Sequence, residues 1–372
     1  MSSRFSWSRL AAIAAKEFIQ MRRDRMTFAM MIGIPVLQLI LFGYAINTDP
    51  RALPTALLAA DSGPYVRSLM AGLHHSGYFN TVALPASEAA ASELLDRGEV
   101  QFVISIPADF ERKLLRGEQP VMLVEADATD PIATASALAV LPEIAAATAK
   151  EEGNPLRAPP FTLSVHKRYN PEGESRYNIV PGLMGVILTM TMVMITAVAI
   201  TRERERGTME YLLATSVTPI ELMLGKIIPY IFVGYVQITL ILLAAMLFFH
   251  VPVVGSLPLM YGLAIVFILA NLCMGITFST LAANQMQALQ MSFFFFLPSI
   301  LLSGFMFPFR GMPQWAQMIG EVLPLTHFLR LVRGIMLKGN TLPLAWEHLW
   351  PIMVFTLFAL LVALKRFHKT LD

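Results

Sequence analysis

Apolar and charged residues are sharply segregated along this chain. Six stretches carry no Asp, Glu, Lys or Arg: Met26–Asn47, Asn178–Ile200, Ile227–Phe249, Leu257–Ala283, Met286–Phe307 and His348–Leu364. Each is near the roughly 17–25 residues that cross a bilayer as a helix. The charges between them predict the topology. Arg22, Arg23 and Arg25 precede the first stretch, Arg202, Arg204 and Arg206 separate the second from the third, and Lys365, Arg366, His368 and Lys369 follow the last. Basic flanks stay on the cytoplasmic side, so six spans with both termini inside is the consistent reading.

Two other stretches have their own pattern. Residues 1–25 include Trp7, Leu10, Ile13, Ala14, Phe18 and Met21 at helical spacing, with Arg9, Lys16 and Arg22 among the polar positions. This pattern reads as an amphipathic interfacial helix rather than a cleavable signal peptide, because the following apolar run is too long. Residues 48–177 have no spanning run and alternate between strand and helix signals. The strands are Leu53–Ala60, Tyr78–Leu84, Val100–Ile106, Pro120–Ala126 and Phe161–Tyr169. The helices are Tyr65–His75, Ser87–Arg97 with Ser87 as N-cap and Gly98 past its end, Ala108–Arg116 and Ala133–Lys150. The alternation predicts an α/β layer domain, placed outside because long loops translocate whatever their charge. His74 and His75 are adjacent, a poor metal spacing, and read as surface residues.

One segment strains the scheme. Residues 310–340 should be external, yet carry Arg310, Arg330, Arg333 and Lys338 against a single acid, Glu321. Their apolar stretches, Met312–Leu323 and Leu325–Leu337, are too short to span, which predicts two re-entrant helices that dip into the outer leaflet and return.

The composition agrees: 55% hydrophobic, 15% charged, with mean hydropathy +0.59. A net charge of +2 with no long basic run gives no reason to expect a nucleic-acid partner. The lone Cys273 excludes an intrachain disulfide. No span holds an ionisable Asp, Glu, Lys or Arg, which argues against ion-coupled transport. A phosphate-binding GxxxxGK[ST] loop is missing, since Gly225-Lys226 is followed by Ile227 and preceded by Ile220 where the first Gly belongs. No catalytic triad or zinc-protease pattern suggests an enzyme.

The most informative stretch is the charged island Thr201–Pro219, TRERERGTMEYLLATSVTP, between spans two and three. Glu203, Arg204, Glu205 and Arg206 sit at a membrane edge. Gly207-Thr208 offers a helix break and N-cap, and Glu210 suits the start of a second short helix. Read alone, these charges either meet a partner or merely set topology.

Four motifs in order carry a resemblance: KEFIQMRRDR before span one, RYNPEGESRYNIVPGL (Arg168–Leu183), ITRERERGTMEYLLATSVTPIELMLGKIIPY (Ile200–Tyr230), and FLPSILLSGFMFP (Phe296–Pro308) followed by MPQW and LPLTHFLRLVRGIML. With them the chain resembles the ABC-2 type permeases over nearly its whole length, and its external domain resembles the multidrug-efflux subgroup. The resemblance implies a type V exporter-like permease of the bacterial inner membrane that binds no cofactor itself. ATP and Mg would be handled by a separate cytoplasmic ABC ATPase subunit. A second permease subunit would complete a homodimer or heterodimer, with a membrane-fusion protein outside. The island 201–226 would be the ATPase-coupling region, carried by Arg202, Glu203, Arg204, Glu205, Arg206, Gly207, Thr208 and Glu210. Spans two and five would line an apolar path for amphiphilic or drug-like substrates, with Met184, Leu188, Met192, Phe293, Phe294, Phe295 and Phe296 as candidates. The competing reading is a membrane-anchored receptor or scaffold whose α/β domain binds a ligand.

Overall fold

The computed structural model describes residues 50–151, 161–207 and 219–369. The expected interfacial helix and first span, and Thr208 and Glu210 of the island, lie outside these residues. The first unit is a five-stranded sheet with helices on both faces. Its elements are β1 (Leu53–Ala59), α1 (Pro64–His75), β2 (Phe79–Ala83), α2 (Glu88–Arg97), β3 (Phe102–Ile106), α3 (Phe110–Leu115), β4 (Val121–Asp127), α4 (Pro131–Glu151) and β5 (Thr162–Arg168). The order is β2-β1-β3-β4-β5. All pairs are parallel except β3 with β4.

Alternation along the strands decides which helix covers which face. Leu53 and Leu57 of β1, with Phe102, Ile104 and Ile106 of β3, meet Leu69 and Leu73 of α1 and Ala137, Leu141 and Ile144 of α4. Ala56 and Val103 point the other way and meet Ala91 and Leu95 of α2. Helix α2 starts where Ser87 Oγ accepts the Ala90 N–H at 3.2 Å, a side-chain cap of the kind its sequence announces.

The second unit is helical: α5 (Ser175–Glu205), α6 (Pro219–Leu247), α7 (Leu257–Leu281), α8 (Gln285–Leu302), a 3₁₀ turn (Phe309–Gly311), α9 (Gln314–Val322), α10 (Pro324–Arg333) running into a π turn (Gly334–Lys338), and α11 (Leu342–Lys369). Among the described residues six helices are long and apolar enough to cross a membrane. Five are α5, α6, α7, α8 and α11. The sixth, Pro131–Thr148 within α4, gives its apolar face to the sheet instead.

Helices α5, α6, α7, α10 and α11 share one core. The Phe267 ring of α7 stacks on Phe328 of α10 at 3.9 Å and 3°. Helices α5 and α7 approach closely at Gly275, where a Cβ would lie 2.6 Å from the Val193 carbonyl oxygen. The two short helices of 310–340 differ from each other in exposure. Only α9 shows an open apolar face, with Met318 and Val322 each 66% exposed. Helix α10 is enclosed: Leu325, Phe328 and Leu329 are fully buried among the long helices. Backbone that stops short of a full crossing needs such protein cover at membrane depth.

Candidate coupling site and α/β junction

The charged island begins as the last turns of α5, which carries Arg202, Glu203, Arg204 and Glu205 beyond the apolar run. Arg206 closes the helix, and Gly207 follows at φ +70°, a left-handed turn that glycine adopts without strain. Glu205 Oε1 accepts the backbone N–H of Gln285, the first residue of α8, at 2.7 Å, and its other oxygen accepts from the Gln285 side chain. Arg202 Nε donates to Gln285 Oε1 and Arg204 Nη1 to Ala282 O, each at 3.4 Å. The island is therefore clipped to the α7–α8 connection. A carboxylate against the first amide of α8 also suits the helix dipole. The connection is braced by a reciprocal cap: Asn284 Oδ1 accepts Gln287 N–H and Gln287 Oε1 accepts Ala283 N–H, both at 2.8 Å.

At the opposite end of the bundle the α/β unit meets the helices through polar contacts. Lys338 Nζ lies 2.6 Å from Asp127 Oδ2, with side chains only 8% and 11% exposed, and donates to Leu95 O at 3.0 Å. It also sits 5.0 Å from the Tyr169 ring centre. Tyr169 donates its hydroxyl to Asp96, and burial with that carboxylate raises the phenol's pKa. Arg333 donates to Asn178 Oδ1 at 3.0 Å and to Gly304 O at 3.3 Å, while Asn178 Nδ2 donates to Thr129 O at 2.8 Å. Arg310 reaches Gly98 O at 3.2 Å. Arg330 makes a bidentate pair with Glu321 at 2.6 and 3.0 Å. Three of the four basic residues that seemed misplaced outside therefore touch the α/β unit, Arg333 through Asn178.

A model of the family described as "ABC-2 family transporter protein" matches residues 25–365. The chain belongs to the ABC-2 transporter family. It is 29% identical over 350 residues to the probable multidrug ABC transporter permease YbhR of Escherichia coli K12, covering 94% of this chain and 95% of that protein. It is 31% identical over 343 residues to the probable multidrug ABC transporter permease YbhS of the same strain, covering 90% of each. It is 29% identical over 359 residues to the inner membrane transport permease YhhJ, covering 90% of this chain and 93% of that protein. It is the permease subunit of an ABC exporter, a multi-pass inner-membrane protein. Membership implies a partner ATP-binding subunit.

Within this permease the expected path residues separate. Met184, Leu188 and Met192 are fully buried inside the bundle core. They share one face of α5 four residues apart, and that face meets neighbouring helices. The open face of α5 carries Ile179 (44%), Leu183 (37%), Met190 (40%) and Ile195 (37%). On α8, Phe293 (40%) and Phe294 (42%) are exposed, Phe295 lies against Phe278 and Phe355, and Phe296 packs on the core. Gln285, Asn178 and Arg333 were not singled out as site residues from the sequence. The only signal was the excess of basic residues in 310–340.

Proposed function

We propose that this permease is one half of a paired membrane unit that exports amphiphilic or drug-like molecules, with ATP and Mg handled by the partner subunit. The named multidrug relatives and the absence of fixed charge in the spans support that substrate class. The sheet unit, residues 48–177, is placed in the periplasm, where a membrane-fusion protein would meet it, and both termini lie in the cytoplasm with the interfacial helix 1–25. Transmembrane helix 1 is assigned to 26–47 and helices 2–6 to 178–372, with the re-entrant pair inside 310–340. A path between subunits would run along the open faces of α5 and α8, past Met190, Phe293 and Phe294.

The observation that carries the coupling role is the clip between Glu205 and Gln285. It lets a push on residues 201–226 reach spans two and five together. The test is the Glu203→Ala/Glu205→Ala double variant, assayed with its co-purified ATPase. Insertion and expression stay at wild-type levels while transport and transport-coupled hydrolysis fall. Full efflux in that variant would reduce the island to a topological anchor. The purified chain alone should hydrolyse no ATP; hydrolysis in a preparation free of other ATPases would overturn the division of labour.

A further inference from the structure

The junction between the α/β unit and the helices encloses a cavity of about 340 Å³. We propose that it binds the phosphate-bearing headgroup of a net-anionic amphiphile in the adjoining leaflet. Lys338 is consumed by Asp127, Arg330 by Glu321, and Arg97 by Glu93, Glu99 and Glu347. Two guanidinium groups remain. Arg333 bonds only to the neutral oxygens of Asn178 and Gly304, and its buried Nε has no partner. Arg310 bonds only to Gly98 O. Among the described residues neither makes an ion pair, and both line the cavity.

A buried guanidinium with an open donor is costly unless an acceptor reaches it. Two forked donors suit an oxyanion, phosphate above all. Six carboxylates line the cavity, and five are engaged: Asp127 by Lys338, Glu321 by Arg330, Glu99 and Glu347 by Arg97, and Asp96 by the Tyr169 hydroxyl. The sixth is Asp130, whose Oδ1 accepts the Ile132 and Ala133 N–H groups. Burial pushes its carboxyl up toward the neutral form, which lessens its competition for the guanidinium groups.

The depth identifies the source. The cavity wall includes Gln317 of α9 and Glu347 and His348 of α11. Their neighbours Trp315, Trp346 and Trp350 are 39%, 51% and 52% exposed. Exposed tryptophans in apolar helices mark the membrane–water interface, where headgroups lie. The polar chamber therefore stands at headgroup level, with the acyl region beside α9 and α11.

The same three tryptophans, of four in the chain, report the site. The full chain is placed in phosphatidylcholine nanodiscs doped with phosphatidylglycerol or phosphatidylcholine brominated near the headgroup, and tryptophan quenching is titrated. Brominated phosphatidylglycerol should quench at about tenfold lower mole fraction than brominated phosphatidylcholine, the scale of a charge-assisted hydrogen bond. Arg310→Gln and Arg333→Gln should each remove most of that preference, Arg310→Lys should keep part of it, and Asp130→Asn, which preserves the helix cap, should strengthen it. Arg310 is exposed, so its variant remains informative if Arg333→Gln fails to fold.

Coincident titrations of the two lipids would overturn the proposal, as would a preference untouched in both Gln variants. A preference weakened by Asp130→Asn would assign a cation-bearing ligand instead. Loss of the preference in millimolar inorganic phosphate would assign free phosphate rather than a headgroup. Nanodiscs expose both faces and contain no ATPase, so these outcomes stand or fall separately from the coupling role and the sidedness proposed above.

Discussion

Replacing Lys338 with Met tests what holds the α/β unit to the helices. The ammonium and the Asp127 carboxylate are 2.6 Å apart and almost fully buried. Removing one partner of such a pair leaves a buried charge uncompensated, at about 3–5 kcal/mol. Asp127 keeps two hydrogen bonds, from Thr129 N–H at 3.1 Å and Thr129 Oγ1 at 2.7 Å, so the lower end applies, about 3 kcal/mol. That corresponds to about a 150-fold shift toward the undocked state. Amide hydrogen exchange reads it directly. Protection should fall by about two orders of magnitude at the C-terminal end of α2 and around Asp127–Asp130, with the centres of β1 and β3 unchanged. The double variant Lys338→Met/Asp127→Leu removes both charges and should recover most of the loss, since an apolar pair of similar volume replaces a buried ion pair at little cost. A change under about threefold in the single variant, or a double variant no better than the single, would refute the reasoning.

Sidedness is checked by thiol labelling in intact spheroplasts. Glu118→Cys, on an exposed loop of the α/β unit, should react with an impermeant reagent, and Thr215→Cys only after lysis; the native Cys273 is buried and gives a low background. Gly275→Val should lower thermal stability by about 1–3 kcal/mol or more by overpacking against Val193 and Thr196, and an unchanged melting temperature would refute the close approach of α5 and α7. Phe328→Ala empties a fully buried stacked position and should cost about 3–5 kcal/mol, seen as a large drop in detergent melting temperature.

Local rules explain which features were legible in the sequence. The N-cap at Ser87 and the turn at Gly98 bound α2 because both act within a few residues. The strand stretches followed from alternation. Sheet order did not, because the antiparallel step between β3 and β4 depends on contacts distant in sequence. The spans were visible as uncharged runs, but uniform apolarity hides which side faces protein. Met184 and Met190 are chemically identical in sequence, yet one is fully buried and the other 40% exposed. Helix α10 is instead amphipathic, with Arg330 and Arg333 among its apolar positions, and its shortness suggested a lipid-facing helix. The island's position was legible, whereas the partner of Glu205 stands 80 residues away in Gln285. The basic excess in 310–340 was a true signal of contact with the α/β unit that positional counting alone read as a problem of topology.

The two polar sites act on the same pair of helices. Helix α5 is 31 residues long, about 46 Å at the usual rise. At one end Asn178 is held by Arg333 and holds Thr129. At the other, Glu205 holds the first turn of α8. Arg333 also donates to Gly304 O, just beyond the last turn of α8. Helices α5 and α8 are thus tied to each other at both ends, through Glu205 on one side and Arg333 on the other. A rigid tilt of α5 against α8 must stretch one tie, whereas a bend spares both. The weak points for bending are internal: Pro181 in α5 and Pro298 in α8 each remove a helical hydrogen bond. Both prolines lie toward the Arg333 end, so flexure concentrates near the junction with the α/β unit while the Glu205 end moves as one piece. On this geometry, Glu205→Ala should free the Glu205 ends of α5 and α8 to move separately, while Lys338→Met should loosen the α/β unit and leave the two helices tied at both ends.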